Sequence, residues 1–107
     1  MIARRWRGRV RASDLDPYLR YLEASGLAAL QGTPGNRGVL VFRHLDTEAD
    51  AADVEVVSIW DDLEAIRAFA GDDISVARFF PDDDRYLIDR ELTVRHDLVD
   101  EYSIRGG

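Results

Sequence analysis

The 107-residue sequence has no cysteine, no lysine and only two histidines, His44 and His96. Without cysteine there are no thiol nucleophiles, disulfides, iron–sulfur ligands or thiolate zinc sites. All 14 basic residues are arginine, so a side-chain amine for Schiff-base chemistry is missing too. No apolar run approaches the roughly 18 residues that a membrane helix needs. The start, "MIARRWRGRV", alternates charged and apolar groups and does not read as a secretory signal, so a cytoplasmic location is expected. A formal charge of −7 opposes binding to nucleic-acid phosphates, which calls for a basic face. Neither a Gly-rich phosphate loop nor a triad-like arrangement of Ser, His and Asp is present. Asp82, Asp83 and Asp84 are consecutive, so their carboxylates diverge; they read as a solvated loop, and no metal site is expected.

What is present suits one soluble domain over residues 1–107, with 46% apolar and 33% charged residues. Residues 2–11 alternate with period two, with Ile2, Arg4, Trp6, Gly8 and Val10 on one side and the other arginines opposite, which predicts a strand. Acidic neighbours across the sheet can answer those arginines. "ASDLDPYLRYLEASG" offers Ser and Asp caps, an early proline and the helical set Leu15, Tyr18, Leu19 and Leu22, with Gly26 as the stop. "GVLVFRHL" and "VEVVSIW" predict two strands paired as a hairpin around the polar loop "DTEADAAD". A second helix is expected from an Asp61 N-cap with Glu64 in a capping box, with Leu63, Ile66 and Phe69 buried and Gly71 closing it. "ISVARFF" predicts a shorter helix ended by Pro81, "DDDRY" an exposed turn, and residues 91–99 a last strand. The order β-α-β-β-α-β is that of a ferredoxin-like α+β fold with a four-stranded antiparallel sheet. Apolar groups on both faces of strands two and three suggest that a second copy covers the free face.

The segments "MIARRWRG", "TPGNRGVLVFRH", "SIWDDLEAIRAFAGDDISVARFFPDDDRYL" and "LTVRHDLV" resemble the antibiotic biosynthesis monooxygenase-like family of the dimeric α+β barrel superfamily, over nearly the whole chain. The resemblance implies a homodimer with a pocket between sheet and helices. It also implies a cofactor-independent monooxygenase acting on a small aromatic or polyketide-like substrate, through a base that deprotonates a phenol or enol before oxygen reacts. A non-catalytic ligand-binding or stress-associated dimer, and an isomerase or cyclase, share that scaffold. Trp60 matches the family's tryptophan at the end of the third strand. The family's haem branch ligates iron through a histidine late in the second helical segment. Counted from Trp60 that position holds Phe79, and the branch's first-strand asparagine is missing, so haem degradation is disfavoured.

His96 shares its strand side with Leu92, Val94 and Leu98 and so points inward, as a general base or as a core histidine with one satisfied hydrogen bond. Arg4 and Arg43 are candidate partners for a developing anion, Arg43 because it alternates with Val39 and Val41; pairing with a buried acid is the competing role. Trp6, Trp60, Phe69, Phe79, Phe80 and Tyr86 are candidate substrate-binding walls or ordinary core.

Overall fold

The computed structural model describes residues 1–102. Strand β1 (Ile2–Arg11) lies at the centre of an antiparallel sheet, beside β3 (Ala51–Trp60) on one side and both β4 (Leu87–Arg90) and β5 (Arg95–Leu98) on the other, with β2 (Asn36–Asp46) outside β3. Helices α1 (Leu15–Leu22), α2 (Ala28–Gln31) and α3 (Leu63–Ala70) supply the second layer. The architecture is ferredoxin-like α+β.

Alternation sorts each strand into two faces. Ala52, Val54, Val56, Ser58 and Trp60 of β3 stand opposite Val10, Gly8, Trp6, Arg4 and Ile2 of β1, and this face meets Leu15, Tyr18, Leu22, Ile66 and Phe69 in the core. The outer face carries the remaining arginines, and acids do answer them. Arg5 reaches Glu55 at 2.5 Å, and Arg9 reaches Asp46 at 2.7 Å and Asp53 at 3.4 Å.

Several elements differ from the sequence expectation. Helix α1 does not stop at Gly26: it continues through a π turn (Glu23–Leu27) into α2. Gly26 is buried because of close packing, since a Cβ there would lie 3.3 Å from Leu22 and 3.6 Å from Phe80. No side chain caps α1, which a 3₁₀ turn (Ala12–Asp14) feeds instead. The cap of α3 is Asp62, whose carboxylate accepts from the Ala65 N–H at 2.9 Å; Asp61 pairs with Arg37, Glu64 pairs with Arg67, and Leu63 is exposed. The 33–36 turn packs against this helix, with Gly35 at φ +89° and no room for a Cβ beside Ala65.

"ISVARFF" is not helical. Residues 71–82 form an irregular strap over the edge of the core, in which Asp73 closes a turn onto Ser75 and Val76 bridges Thr93. "DDDRY" is not a free turn, for Asp83–Tyr86 form a short helix, α4, with Asp83 buried. The last strand, expected over 91–99, is formed only at β5, and β4 (Leu87–Arg90) is an additional strand before it, because residues 92–94 leave the sheet to bond the strap: Ala77 donates to the Leu92 carbonyl and Val94 to that of Ser75, each at 2.9 Å.

Asp62→Ala is expected to lower stability by about 1 kcal/mol, the usual cost of losing an aspartate N-cap. Asp61→Ala stays within about 0.5 kcal/mol, as exposed substitutions do. Urea unfolding of the two variants measures the difference.

Candidate functional site

Between the inner sheet face and the helices lies a cavity of about 60 Å³. Its floor is Arg4, Trp6, Val56 and Ser58 from β1 and β3; α1, the π turn and α2 contribute Tyr18, Leu22, Gly26 and Leu30; Phe69 closes one side. The strap roofs it with Ala77, Arg78 and Phe80, beside Asp83 and Val94. The walls are therefore mainly apolar, with a few polar groups converging, as a small-molecule site requires.

Arg4 dominates the electrostatics. It is 4% exposed, and no carboxylate lies within ion-pair distance among the described residues. Its guanidinium donates instead to the strap carbonyls of Ile74 (2.5 Å) and Val76 (3.0 Å), and its Nη1 lies 3.2 Å from His96 Nε2. Burial pushes its pKa down to about 10, so it stays charged at neutral pH. His96 stands directly opposite Arg4 across β1 and β5. Burial first and the Arg4 charge second hold this imidazole below the usual histidine value, with Asp97 partly offsetting them. A neutral ring accepts the Arg4 N–H, and in that tautomer its free N–H is Nδ1. His96 thus braces Arg4 from behind and is not itself part of the cavity wall.

Arg43 is exposed, contrary to the inward orientation expected. It does share the inner face, opposite Val54, but the helix layer ends short of this part of β2, where Leu45 is exposed as well. Trp60 is fully buried beneath the floor, its ring centroid 6.0 Å from that of Phe69 and its indole N–H donating to Ser58 Oγ at 2.8 Å. Trp6 lines the cavity and Phe79 packs on its edge at 6.3 Å, outside the wall and 36% exposed. Phe69 and Phe80 hold the Arg78 guanidinium between them, at 4.9 Å from each ring, an arrangement favoured by the negative ring faces. Tyr86 packs against Tyr18 and Tyr21 and does not itself line the cavity.

Four lining residues with polar side chains were not singled out as site residues from sequence: Tyr18, Ser58, Arg78 and Asp83. Ser58 carries a legible signal, as the one hydroxyl in the inner-face series of β3. Asp83 does not, because its burial depends on the chain folding back so that its carboxylate accepts from the Phe80 N–H at 2.7 Å. Burial and the nearby Asp83 and Tyr21 push the Tyr18 phenol up, with Arg90 opposing. Tyr18 is thus a neutral donor rather than a base.

The depressed folded-state pKa of His96 means that the unfolded chain binds this proton more readily. Its contribution to stability is complete above the unfolded value, near 6.5, and declines as the pH falls through that value. NMR titration is expected to place His96 below 6.5, and Arg4→Met to raise it by removing the neighbouring charge.

No family model and no curated protein sequence matches this chain. Among solved structures, its fold is similar to the crystal structure of a MhuD point mutant with two manganese protoporphyrin IX molecules bound per active site. That match has a TM-score of 0.62 and 20% sequence identity, covering 99% of this chain and 100% of that one. The residues here do not fit a metalloporphyrin. His44 is exposed on β2, His96 Nε2 is engaged by Arg4, and Phe79 offers no ligand. The cavity is also far below the roughly 300–1,000 Å³ of ordinary ligand pockets. The likeness establishes the ferredoxin-like fold.

Proposed function

We propose that this protein is a cofactor-independent monooxygenase acting on a small phenol or enol in the cavity over β1 and β3. The observation that carries the reading is the Arg4 guanidinium: buried, charged, without an acidic partner among the described residues, and set in the floor of an apolar cavity. A charge held in such a place stabilises an anion that develops beside it far more than it would in water. In the reaction, the substrate hydroxyl or enol gives up its proton and the electron-rich anion is oxidised by dioxygen. One oxygen atom enters the substrate carbon and the other leaves as water, with the substrate supplying all four electrons. Asp83 borders the cavity and is the proton acceptor in this scheme; His96 serves by holding Arg4. At about 60 Å³ the cavity is smaller than a single aromatic ring requires, so entry displaces the strap at Ala77–Phe80.

In the same reading the protein is a homodimer joined through the outer sheet face, opposite the cavity. Leu40 and Phe42 are each more than half exposed there, although Phe42 sits opposite Glu55 and Leu40 opposite Val57 within the sheet. Covering such groups is worth about 25 cal/mol per Å². Among the described residues no helix is long and apolar enough to cross a membrane.

Oxygen uptake with a panel of hydroquinones and naphthols tests the reading. Wild-type protein is expected to consume oxygen with turnover, and Arg4→Met, its fold checked by circular dichroism, to lose at least about 10²-fold in rate. Equal turnover under argon would instead assign isomerisation or cyclisation, and saturable binding without turnover a binding protein. Sedimentation is expected to show a dimer that Phe42→Glu converts to monomer.

A further inference from the structure

A row of side chains runs in register over four adjacent strands, Val39, Ser58, Arg4 and His96, and its two middle members lie in the cavity floor. Ser58 is 2% exposed and lines the cavity. A serine hydroxyl has one proton to give and two lone pairs. The Trp60 indole N–H occupies a lone pair at 2.8 Å, and among the described residues nothing accepts the proton. Ser58 and Arg4 are direct cross-strand partners, which puts their Cβ atoms about 5 Å apart. One neutral and one cationic donor thus stand side by side at the base of the cavity. His96 is not a free acceptor beside them, because its Nε2 already receives the Arg4 N–H.

We infer that Ser58 and Arg4 form an oxyanion site that binds the substrate as its phenolate or enolate, with Trp60 as the positioning residue that fixes the Ser58 hydroxyl. The inference rests on the cavity being the reaction site. A phenol offers the two donors only a neutral oxygen, whereas a phenolate oxygen, its proton passed to Asp83 at the cavity edge, accepts from both with its full charge. Hydrogen bonds to a charged oxygen are the strong ones. The selection is therefore for the ionised substrate before oxygen arrives. Trp60 takes part without touching the ligand: its indole N–H occupies one of the two Ser58 lone pairs and so narrows the directions in which the hydroxyl can point.

The probe is 4-nitrophenol, whose phenol and phenolate absorb at different wavelengths, with nitrobenzene as a neutral ligand of similar shape. Binding is read from Trp6 fluorescence and ionisation from the bound absorbance across pH. Wild-type protein is expected to favour the phenolate over the phenol by at least about tenfold, and Ser58→Ala to lose about tenfold of that preference. Trp60→Phe loses part of it. The double variant, in which no indole N–H is left unpaired, is expected to match Ser58→Ala, since Trp60 acts only through Ser58. Nitrobenzene affinity stays constant throughout. A preference unchanged in Ser58→Ala and the double variant, or additive losses in the double variant, would overturn the oxyanion site while leaving the cavity as a binding site. Failure of both ligands to bind wild-type protein would overturn the cavity reading and this inference with it.

Discussion

The structure turns on one buried charge. Arg4 sits on the central strand, on the side that must be apolar, and taking its guanidinium out of water carries a penalty of several kcal/mol. The chain recovers part of this by bringing the carbonyls of Ile74 and Val76 to it, and hydrogen bonds to a charged group contribute about 1.5–3 kcal/mol each. Those two bonds also fix the strap, whose other anchors are the Val76–Thr93 bridge and the Arg78 bond to the Phe69 carbonyl. The roof of the cavity is therefore held in place by the group in its floor. An anion that draws Arg4 donors to itself weakens the same bonds that keep the roof closed.

The contrast along β1 shows why Arg4 differs from its neighbours. Arg5, Arg7 and Arg9 alternate onto the outer face and find Glu55, Glu91, Asp46 and Asp53 within ion-pair distance. Such partly exposed pairs add little stability individually; their effect here is to leave that part of the face nearly neutral. Arg4 and Trp6 face inward, where the groups that Arg4 contacts are carbonyls, an imidazole and an aromatic ring. A chain of net charge −7 thus carries a local positive site in its interior.

What could be read from sequence was whatever has a short period. The β1 alternation, the hairpin of β2 and β3, the α3 stripe of Ile66 and Phe69, and the inward side of Arg4 and His96 all follow from spacings of two, three or four residues. The cap of α3 was legible only to within one residue, since Asp61 and Asp62 are chemically equivalent and the backbone decides between them: Asp61 spends its N–H on the Gly35 carbonyl. The strap was not legible. Its residues alternate poorly and are ordered by groups distant in sequence, Arg4 some 70 positions away among them. Reading "ISVARFF" as helix followed from local start and stop signals, Asp72 and Asp73 before it and Pro81 after it, and the Arg4 guanidinium, Thr93 and the Leu92 carbonyl outweigh those signals. Asp83 and Ser58 were passed over for a related reason: what each does depends on which neighbours take its lone pairs and proton.

Trp60 shows how the same residue type changes its work with its partners. At the end of a strand that leads into α3, it reads equally well as a wall or as core. The ring is entirely buried against Phe69, which settles its packing, yet an indole cannot be buried without spending its N–H. The acceptor within reach two residues back is Ser58, and β geometry puts residues i and i+2 on one face. The need to satisfy one buried donor thus orients a hydroxyl that stands in the cavity floor beside Arg4. A valine at 58, which the alternation of Val54 and Val56 would favour, leaves that indole unpaired and costs about 1–3 kcal/mol. The serine therefore answers a requirement of the core, and its remaining proton is the part of that answer which faces a ligand.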